Sequence, residues 1–322
     1  MLIRKGPNFA EMSHPLPLLV GGSIAIDNVK TPSDEATNLL GGSASYASLA
    51  ATYFTKPVHL VGVIGNDYPP EHLAMLERHG VTLGGVERSE GASFSWSGEY
   101  HQNMNDRTTH NVAVNVLESW EVNLPVAVAA SPVVVLANMA PKNQLEMLDQ
   151  CVGEDRFVLA DTMDLWIGIA REELEKVLGR IDLLVINETE AREYAGTSNL
   201  VEAGALLRRK GPGYVIIKLG EFGAILFGPP EINHGIFRCG AFPLREVADP
   251  TGAGDTFLGA MAGYLASLGN TDYQFEDIRN AIVRGTVMAS FTCEAFSTRR
   301  IEDLSSLEIE ERLQTFTDIS CW

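Results

Sequence analysis

The nonapeptide Asp-Pro-Thr-Gly-Ala-Gly-Asp-Thr-Phe, which begins at Asp249, combines residue types that can hold an anion beside an acid. Two of its glycines, Gly252 and Gly254, precede a stretch with apolar residues at helical spacing, which predicts a helix that begins near Gly254 or Asp255. The first amides of a helix have no intrahelical partner, and missing side chains let an anion approach them closely. We therefore expect the amides of Gly252, Ala253 and Gly254 to bind an anion of the size of a phosphate.

Asp255, at the start of this helix, allows two interpretations. As an acid in the first turn it would stabilise the helix by roughly 0.5–2 kcal/mol. As a general base it would accept the proton of a hydroxyl that attacks a bound phosphate, which is worth about 10²–10⁴-fold in rate. The segment alone is compatible with both interpretations, so the rest of the chain has to distinguish them.

The elements that must position these residues are short runs rich in Val, Ile and Leu, at 18–26, 58–64, 133–137, 157–160, 183–186 and 214–217. They are apolar on both faces and alternate with helical stretches, which predicts a parallel sheet covered by helices on both sides, an α/β fold. Nearly every run is followed by a polar residue. We expect these side chains to converge at the carboxyl edge of the sheet, although each taken singly is equally explained as a polar loop residue. They are Asp27, Asn66, Asp67, Asn138, Asp161, Asn187 and Lys218.

One region departs from this pattern. Apolar and polar residues alternate over 93–101 and again over 111–116, and the polar stretch between them can turn the chain. Such alternation is typical of half-buried antiparallel strands and predicts a small β-flap at roughly 91–118. Its apolar face, with Phe94, Trp96 and Tyr100, must cover either a ligand site or a partner subunit.

A glycine pair, Gly41-Gly42, opens another apolar helical stretch far upstream of Asp249 and by itself predicts only a tight strand-to-helix turn. Taken together, the two glycine segments resemble the two signatures of the PfkB, or ribokinase-like, family of carbohydrate and nucleoside kinases. Asn187-Glu-Thr-Glu190 and Lys218-Leu-Gly220 lie between them in the expected order. The resemblance implies one ribokinase-like domain over residues 1–322, with three layers and a lid formed by the flap.

The resemblance also implies roles for individual residues. Asp255 would be the base that deprotonates a substrate hydroxyl, and the three amides before it would hold the γ-phosphoryl group of ATP. Asn187 and Glu190 resemble the Asn-x-x-Glu element that organises Mg²⁺ through water, and their alternative interpretation is a capped helix start with an exposed acid.

The remaining roles that the resemblance implies concern the acceptor, the nucleotide and a monovalent ion. Tyr46 departs from the family, because many members have Asn there, and an aromatic ring suggests a different polyol or stacking against a base. Lys218 replaces a small hydroxyl residue of many relatives and could reach a phosphate as a point charge. The acceptor residues are Asp27, Gly41, Gly42, Tyr46, Asn138 and Asp161; the nucleotide residues are Lys218, Gly220 and Asn280; Asp249 and Thr251 match a potassium site of some members.

Composition narrows the class of protein. With 24 Lys and Arg against 42 Asp and Glu, the formal charge of −18 disfavours a nucleic-acid partner. The four cysteines lack the paired spacing of a zinc site or a disulfide framework, which fits a reducing cytoplasm, and no run is long enough to cross a membrane. Gly-Lys is absent, which excludes a Walker A loop, and the protein-kinase and dinucleotide-binding motifs are missing as well.

These observations predict an ATP-dependent kinase, with Mg²⁺ and in some versions K⁺, that phosphorylates an alcohol group of a small sugar or polyol. The alternatives are a nucleoside kinase of the same family and a sugar or nucleotide sensor without turnover. Asp255 argues against the sensor, because binding alone needs no base. The flap predicts either a lid or a homodimer contact.

Overall fold

The apolar runs of the sequence form the centre of a nine-stranded sheet in the computed structural model, which describes residues 14–320. The predicted limits at residues 1 and 322, and Cys321, lie outside the described residues. The sheet has the order β13-β12-β11-β10-β9-β8-β1-β4-β5 and is parallel except for β12, which runs antiparallel to both of its neighbours. The strands are β1 (Leu18–Gly21), β4 (Val58–Ile64), β5 (Val81–Arg88), β8 (Val133–Leu136), β9 (Phe157–Asp161), β10 (Leu183–Asn187), β11 (Tyr214–Lys218), β12 (Ala224–Phe227) and β13 (Ile236–Cys239).

Helices cover both faces of this sheet and enclose two hydrophobic cores. One face carries α1 (Ser43–Ala51), α2 (Pro70–His79), α9 (Ala253–Ser267), α10 (Phe275–Thr292), α11 (Arg299–Glu302) and α12 (Ser306–Ser320). The other carries α3 (Val126–Ala129), α4 (Pro141–Gln150), α5 (Asp164–Ile169), α6 (Arg171–Leu178), α7 (Glu188–Ala195) and α8 (Leu200–Arg208). The predicted α/β class is thus confirmed. None of the helices within residues 14–320 is long and apolar enough to span a bilayer.

The first apolar run differs from its prediction. We expected one strand over 18–26 that ends at Asp27, but the run divides into β1 and β2 (Ala25–Lys30), which belong to different sheets. The chain leaves the main sheet at Gly22 and Ser23, whose amides donate to the carbonyls of Val61 and Asn138, each at 3.2 Å. Asp27 therefore lies inside a strand of the second sheet and not at the end of a strand of the main one.

The second sheet is the predicted flap, and it is larger than expected. Its order is β3-β2-β6-β7, with β3 (Glu35–Gly41), β6 (Phe94–Tyr100) and β7 (Arg107–Ala113). The region predicted at 91–118 supplies only β6 and β7, because β2 and β3 come from the first forty residues. We call this four-stranded sheet the lid. Its apolar face packs on Phe296, from the segment between α10 and α11, so that the lid faces the body of the molecule.

Two further boundaries shifted. The second flap strand, expected over 111–116, begins already at Arg107 because its polar residues pair with β6 as an exposed edge strand. The stretch 301–316, whose many Glu and Leu residues predict one surface helix, is divided between α11 and α12, and Ile309 and Phe316 enter the core. Among the described cysteines, those at 151, 239 and 293 are free thiols.

Candidate active site

The glycine segment forms the turn that leads into α9. Gly252 is the N-cap of this helix with a φ of 76°, and Ala253, Gly254 and Asp255 form its first turn. A side chain at Gly252 would be blocked, because its Cβ would lie 2.3 Å from Cε1 of Tyr46. Unshielded amides at the positive end of a helix dipole are the arrangement expected of an anion site. We call residues 252–254 the cradle.

The cradle is held in place by unusually close packing between α1 and α9. A Cβ at Gly259 would lie 2.1 Å from the carbonyl oxygen of Ala47, and a Cβ at Gly263 would lie 2.7 Å from that of Ala51. From the first contact to the second, the residue number rises by four in both helices, so the two helices run in the same direction. Their N-termini, and with them both glycine turns, therefore lie at the same end of the molecule.

Tyr46, in the first turn of α1, has a different place from the one expected. Its ring lies beneath Gly252 and is only 2% exposed, and burial, followed by the charge of Asp27, raises the pKa of its phenol well above the ordinary value. Such a ring has no free face on which a base could stack. Tyr46 thus supports the cradle from below, and the acceptor contact expected from the sequence is not what this geometry favours.

Asp255 lies deep in the molecule but keeps part of its surface accessible, and it shares its surroundings with Lys218. The Nζ atom of Lys218 lies 3.3 Å from Oδ2 of Asp161 and would lie 3.1 Å from a Cβ at Gly254. Burial and the charge of Asp161 raise the pKa of Asp255 to about 7, while the charges of Lys218 and Arg107 oppose that rise. An acid with a pKa near neutrality is well matched to general base catalysis.

Lys218 itself stays charged in this cluster. Burial acts to lower its pKa, but the negative charges of Asp161, Glu190 and Asp255 outweigh burial and leave the pKa raised. A cation therefore lies beside the cradle, where it can attract a phosphate.

Asp27 is a carboxylate without a protein donor. It is 5% exposed, and among residues 14–320 no group donates a hydrogen bond to its side chain. Its carboxyl occupies the space over Gly41, where a Cβ would lie 2.2 Å from Cγ of Asp27. Burial, with the charges of Asp249 and Asp255, raises the pKa of Asp27 to about 8. An acceptor group left unpaired in this way is suited to a ligand that brings hydroxyl donors.

Gly42, next along the chain, is the N-cap of α1 with a φ of 90°. A Cβ there would lie 2.4 Å from the carbonyl oxygen of Ser23. The backbone fold of the turn alone therefore explains this glycine, whatever it contacts in addition.

Asn187 and Glu190 form a capping box at the start of α7. The amide of Glu190 donates to Oδ1 of Asn187 at 2.9 Å, and the amide of Asn187 donates to Oε2 of Glu190 at 3.0 Å. Unlike an ordinary exposed cap, Glu190 is buried, at 6% exposure. Burial and the charge of Asp161 raise its pKa to about 7, against the opposing charge of Lys218. The predicted cap is thus present, whereas the acid expected to be exposed is buried in the charged cluster.

Asn138 and Asp161 follow β8 and close β9, and they serve different neighbours. Oδ1 of Asn138 accepts from the Trp166 indole at 2.9 Å, and its carbonyl accepts from the Ser43 hydroxyl at 3.0 Å, so it joins α5 to the turn at Gly42. Asp161 pairs with Lys218, the lysine that lies beside Gly254 of the cradle, and its contact with an acceptor stays a prediction.

Asp249 and Thr251 form the turn that precedes the cradle. Asp249 is fully buried, and its two carboxylate oxygens accept from the amides of Thr251 at 2.9 Å and Ser297 at 3.1 Å. The hydroxyl of Thr251 donates to the phenol oxygen of Tyr100, at 3.3 Å, on strand β6. This turn is therefore also where the lid touches the body.

The two remaining residues that were expected to contact the nucleotide lie in separate surroundings. Gly220 has a φ of 57°, and a Cβ there would lie 2.8 Å from Oδ1 of Asn105 in the turn between β6 and β7. Asn280 lies on α10, where its amide donates to the carbonyl of Glu276 at 2.9 Å. Its hydrogen bonds stay within its own helix, and nothing in the described chain connects it to the Asp255 cluster.

Two lid residues also act at the site: Tyr100, which the sequence placed on the apolar face of the flap, and Arg107, which the sequence did not single out. Tyr100 contacts Thr251, and the charge of Arg107 lowers the pKa of Asp255. A signal for Arg107 was present in the chain, because it is the only Lys or Arg between Arg88 and Lys142. A lone cation in a polar turn that leads into a strand is the feature to look for.

The family of the chain is shown by the match of its sequence to a family model. The model of the pfkB family of carbohydrate kinases matches residues 22–304, most of the chain. The chain belongs to this family, as its two glycine signatures indicated.

Individual relatives carry the names of both nucleoside and sugar kinases. A cytidine kinase of Thermococcus kodakarensis is 28% identical over 254 residues, which cover 77% of this chain and 88% of that protein. A nucleoside kinase of Methanothermobacter thermautotrophicus is 25% identical over 271 residues, which cover 79% and 84%.

Solved structures share the fold at low identity. A ribokinase of Arabidopsis thaliana complexed with ribose and ATP superimposes with a TM-score of 0.73 at 19% identity, covering 93% of this chain and 99% of that one. An E. coli protein described as a ribokinase II, in complex with ATP and Mg²⁺, gives a TM-score of 0.75 at 18% identity with the same coverage. These similarities establish the ribokinase-like fold of the chain.

Proposed function

We propose that this protein transfers the γ-phosphoryl group of ATP to an alcohol group of a small sugar or polyol, with Asp255 as the general base. The observation that carries the proposal is the position of Asp255, which lies directly after the unshielded amides of the cradle and beside Lys218. An anion site, a cation and an acid with a pKa of about 7 are the parts that such a transfer needs.

In the proposed reaction a hydroxyl of the acceptor passes its proton to the carboxylate of Asp255. The hydroxyl oxygen forms a bond to the γ-phosphorus as the bond from that phosphorus to the β,γ-bridging oxygen breaks, and ADP leaves with the electron pair. The amides of Gly252, Ala253 and Gly254 stabilise the charge on the phosphoryl oxygens, and the ammonium of Lys218 adds to that stabilisation.

Mg²⁺ fits the carboxylates at this edge of the sheet. Within residues 14–320 no three His, Cys, Asp or Glu side chains are arranged to hold a metal ion by themselves. Mg²⁺ in kinases usually keeps several waters and binds phosphates together with one or two carboxylates, and Glu190 and Asp161, with the cap Asn187, supply that number. Bound there, Mg²⁺ would neutralise charge on the phosphates.

The proposal also includes a potassium site at Asp249 and Thr251, but the structure leaves Asp249 little capacity to bind an ion. Both carboxylate oxygens of Asp249 already accept backbone amides, which leaves only their second lone pairs for an ion. The homodimer contact of the lid and the cytoplasmic location stay predictions.

The preference for a sugar or polyol rests on Asp27. A buried carboxylate without a protein donor can accept two hydroxyls of a polyol, and Gly41 beneath it leaves room for that carboxylate itself. A nucleoside is the second candidate, because the relatives named cytidine kinase and nucleoside kinase align over most of the chain. A nucleoside also presents ribose hydroxyls to Asp27. At this contact it therefore differs from a free pentose only in the base that the ribose carries.

The test is a coupled assay of ADP release from Mg-ATP with pentoses, hexoses, cyclitols and nucleosides as acceptors. We expect turnover with at least one acceptor, and we expect Asp255→Asn to cut it by at least about a hundredfold while the fold and the affinity for ADP stay nearly intact. Asp318→Asn, an exposed aspartate of α12, is the matched control and should behave as the wild type. If the wild-type protein binds sugar and nucleotide but releases no ADP, it is the sensor and not a kinase. If Asp255→Asn turns over at the wild-type rate, Asp255 is not the general base.

A further inference from the structure

The side chain of Asn138, at the end of β8, is held by α5. The indole Nε1 of Trp166 donates to Oδ1 of Asn138 at 2.9 Å, and Nδ2 of Asn138 donates to Sδ of Met163 at 3.1 Å. An indole nitrogen can only donate a hydrogen bond, so the amide atom that faces it must be the oxygen. Trp166 therefore determines which way round the amide of Asn138 stands.

This orientation leaves the amide nitrogen of Asn138 with little to bind in the protein. A thioether sulfur is a weak acceptor, and among residues 14–320 the second hydrogen on Nδ2 has no acceptor at all. Asn138, Met163 and Trp166 are each only half-buried, so a ligand can reach this corner of the site. A donor left without a strong partner is complementary to a ligand atom that carries a lone pair.

The main chain of Asn138 lies beside the proposed acceptor site. Its carbonyl accepts from the Ser43 hydroxyl at 3.0 Å and from the Ser23 amide at 3.2 Å. Ser43 follows Gly42, the N-cap of α1, and Ser23 lies two residues before β2, the strand that carries Asp27. Asn138 and Asp27 are therefore both anchored next to the turn at Gly42.

A buried glutamine holds the loops after β8 and β9 together. The Nε2 atom of Gln144, which is 1% exposed, donates to the carbonyl of Asp161 at 3.0 Å and to that of Ala137 at 3.3 Å. Ala137 directly precedes Asn138, and Asp161 ends β9 two residues before Met163. The packing of the body thus sets the position of α5 relative to Asn138 without help from a ligand.

We propose that Trp166 is a positioning residue, which holds the amide of Asn138 so that its nitrogen is presented to the acceptor. This inference rests on the proposed function and deepens it, because the acceptor must then offer two opposite features. It donates hydroxyl hydrogens to Asp27, and it presents to Asn138 an oxygen with a lone pair. Without the indole donor the amide could turn round, and its oxygen would face the oxygen of the acceptor.

The test is a double-mutant cycle between Trp166→Phe and Asn138→Ala in the coupled assay, with the acceptor that gives the highest kcat/KM. Trp166→Phe keeps an aromatic ring and removes the donor. We expect it to raise the KM for the acceptor by about fivefold to tenfold, the worth of one hydrogen bond, and to change kcat by less than about threefold. Because Trp166 acts through Asn138, adding Trp166→Phe to Asn138→Ala should change KM by less than about twofold.

A change of one atom tests the polarity of the contact. Asn138→Asp keeps an oxygen for Trp166 and replaces the amide nitrogen by a second oxygen, so it should raise KM more than Asn138→Ala does. Trp120→Phe is the matched control, because its indole donates to Oε1 of Glu87 at 3.2 Å, away from the acceptor residues. This control should leave both KM and kcat unchanged.

Calorimetry with D-ribose, myo-inositol and cytidine supplies a readout that does not depend on turnover. The Kd of the tightest of the three should follow the same cycle, and the Kd of ADP should stay the same in every variant. Trp166→Phe that weakens binding equally with Asn138 and with Asn138→Ala, or Asn138→Asp that binds as tightly as the wild type, would overturn the inference.

The same titrations separate this inference from the proposed function. If the wild-type protein binds one of the three compounds but turns over no acceptor, the proposed function is refuted, and the cycle in Kd still decides on Trp166. If it binds none of them, the acceptor site itself is refuted and the role of Trp166 with it.

Discussion

The carboxylate of Asp255 has a pKa raised to about 7 by burial and by the charge of Asp161, and Lys218 opposes that rise. Below this pH a raised acid is protonated and cannot accept a proton, so kcat/KM should fall about tenfold per pH unit on the acid side of 7. Lys218→Met removes the cation that favours the carboxylate, and it should move this acid limb to higher pH. The measurement is kcat/KM across pH 5–9 in the coupled assay.

Lys210→Met, on an exposed lysine that pairs with Glu175, is the control for loss of a positive charge and should leave the limb in place. Because Glu190 titrates in the same range, the limb is a property of the whole cluster and not of one carboxyl. An acid limb at the same pH in Lys218→Met and in the wild type would contradict the assigned electrostatics.

Local sequence was enough to predict structural features that depend on neighbours in the chain. The cradle and Asp255 follow from two glycines and an acid at a helix start, and the cap at Asn187 follows in the same way. Tyr46 and Arg107 could not be placed in this way. One lies under a helix turn far away in sequence and the other reaches the site across the lid, and both contacts depend on tertiary packing.

Among the elements, the α1–α9 pair determines where both glycine turns lie. Gly259→Ala should destabilise the protein by about 2 kcal/mol or more, because its Cβ would meet the backbone oxygen of Ala47 at 2.1 Å and the helices would have to separate. In an open helical position the same substitution is neutral or stabilising by about 0.5–1 kcal/mol. The free energy of unfolding from urea titration measures the effect.

The matched control is Gly168→Ala in α5, where an added Cβ meets nothing within 4 Å. The two substitutions add the same methyl group to a helix, so opposite signs would isolate the packing contact. Gly259→Ala as stable as the wild type would mean that the helices tolerate a wider spacing than this geometry implies.

Element boundaries could be predicted where one pattern filled the whole element. The strands β4 and β8–β11 were found from their apolar runs because both faces of each are buried. The division between β1 and β2 was missed, because the apolar run continues into the first two residues of β2 and only Gly22-Ser23-Ile24 separates the strands. The edge strand β7 is exposed and polar, which makes it resemble a loop until its register with β6 is known.

At the scale of the whole molecule, the site holds several carboxyl groups in surroundings that are shielded from water. Burial raises the pKa of Asp27 to about 8, and the pKa values of Asp255 and Glu190 rise to about 7. The unfolded chain releases these protons near its ordinary acid pKa, whereas the folded chain holds them until pH 7 to 8. Folding stability from these groups is therefore complete below about pH 4 and is lost as pH rises towards 8.

Asp27→Asn should reduce this loss, because the amide cannot ionise. Between pH 5 and pH 8 the free energy of unfolding should fall by at least ~1.4 kcal/mol less in Asp27→Asn than in the wild type, the equivalent of one pKa unit. Any cost of burying the amide is nearly the same at both pH values, so it cancels in this difference. Urea titrations at the two pH values measure it, with Asp318→Asn as the exposed control. If the free energy of unfolding falls equally in the wild type and in Asp27→Asn, the folded chain ionises Asp27 at no cost. The argument that this carboxylate is kept unpaired for an acceptor would then lose its physical basis.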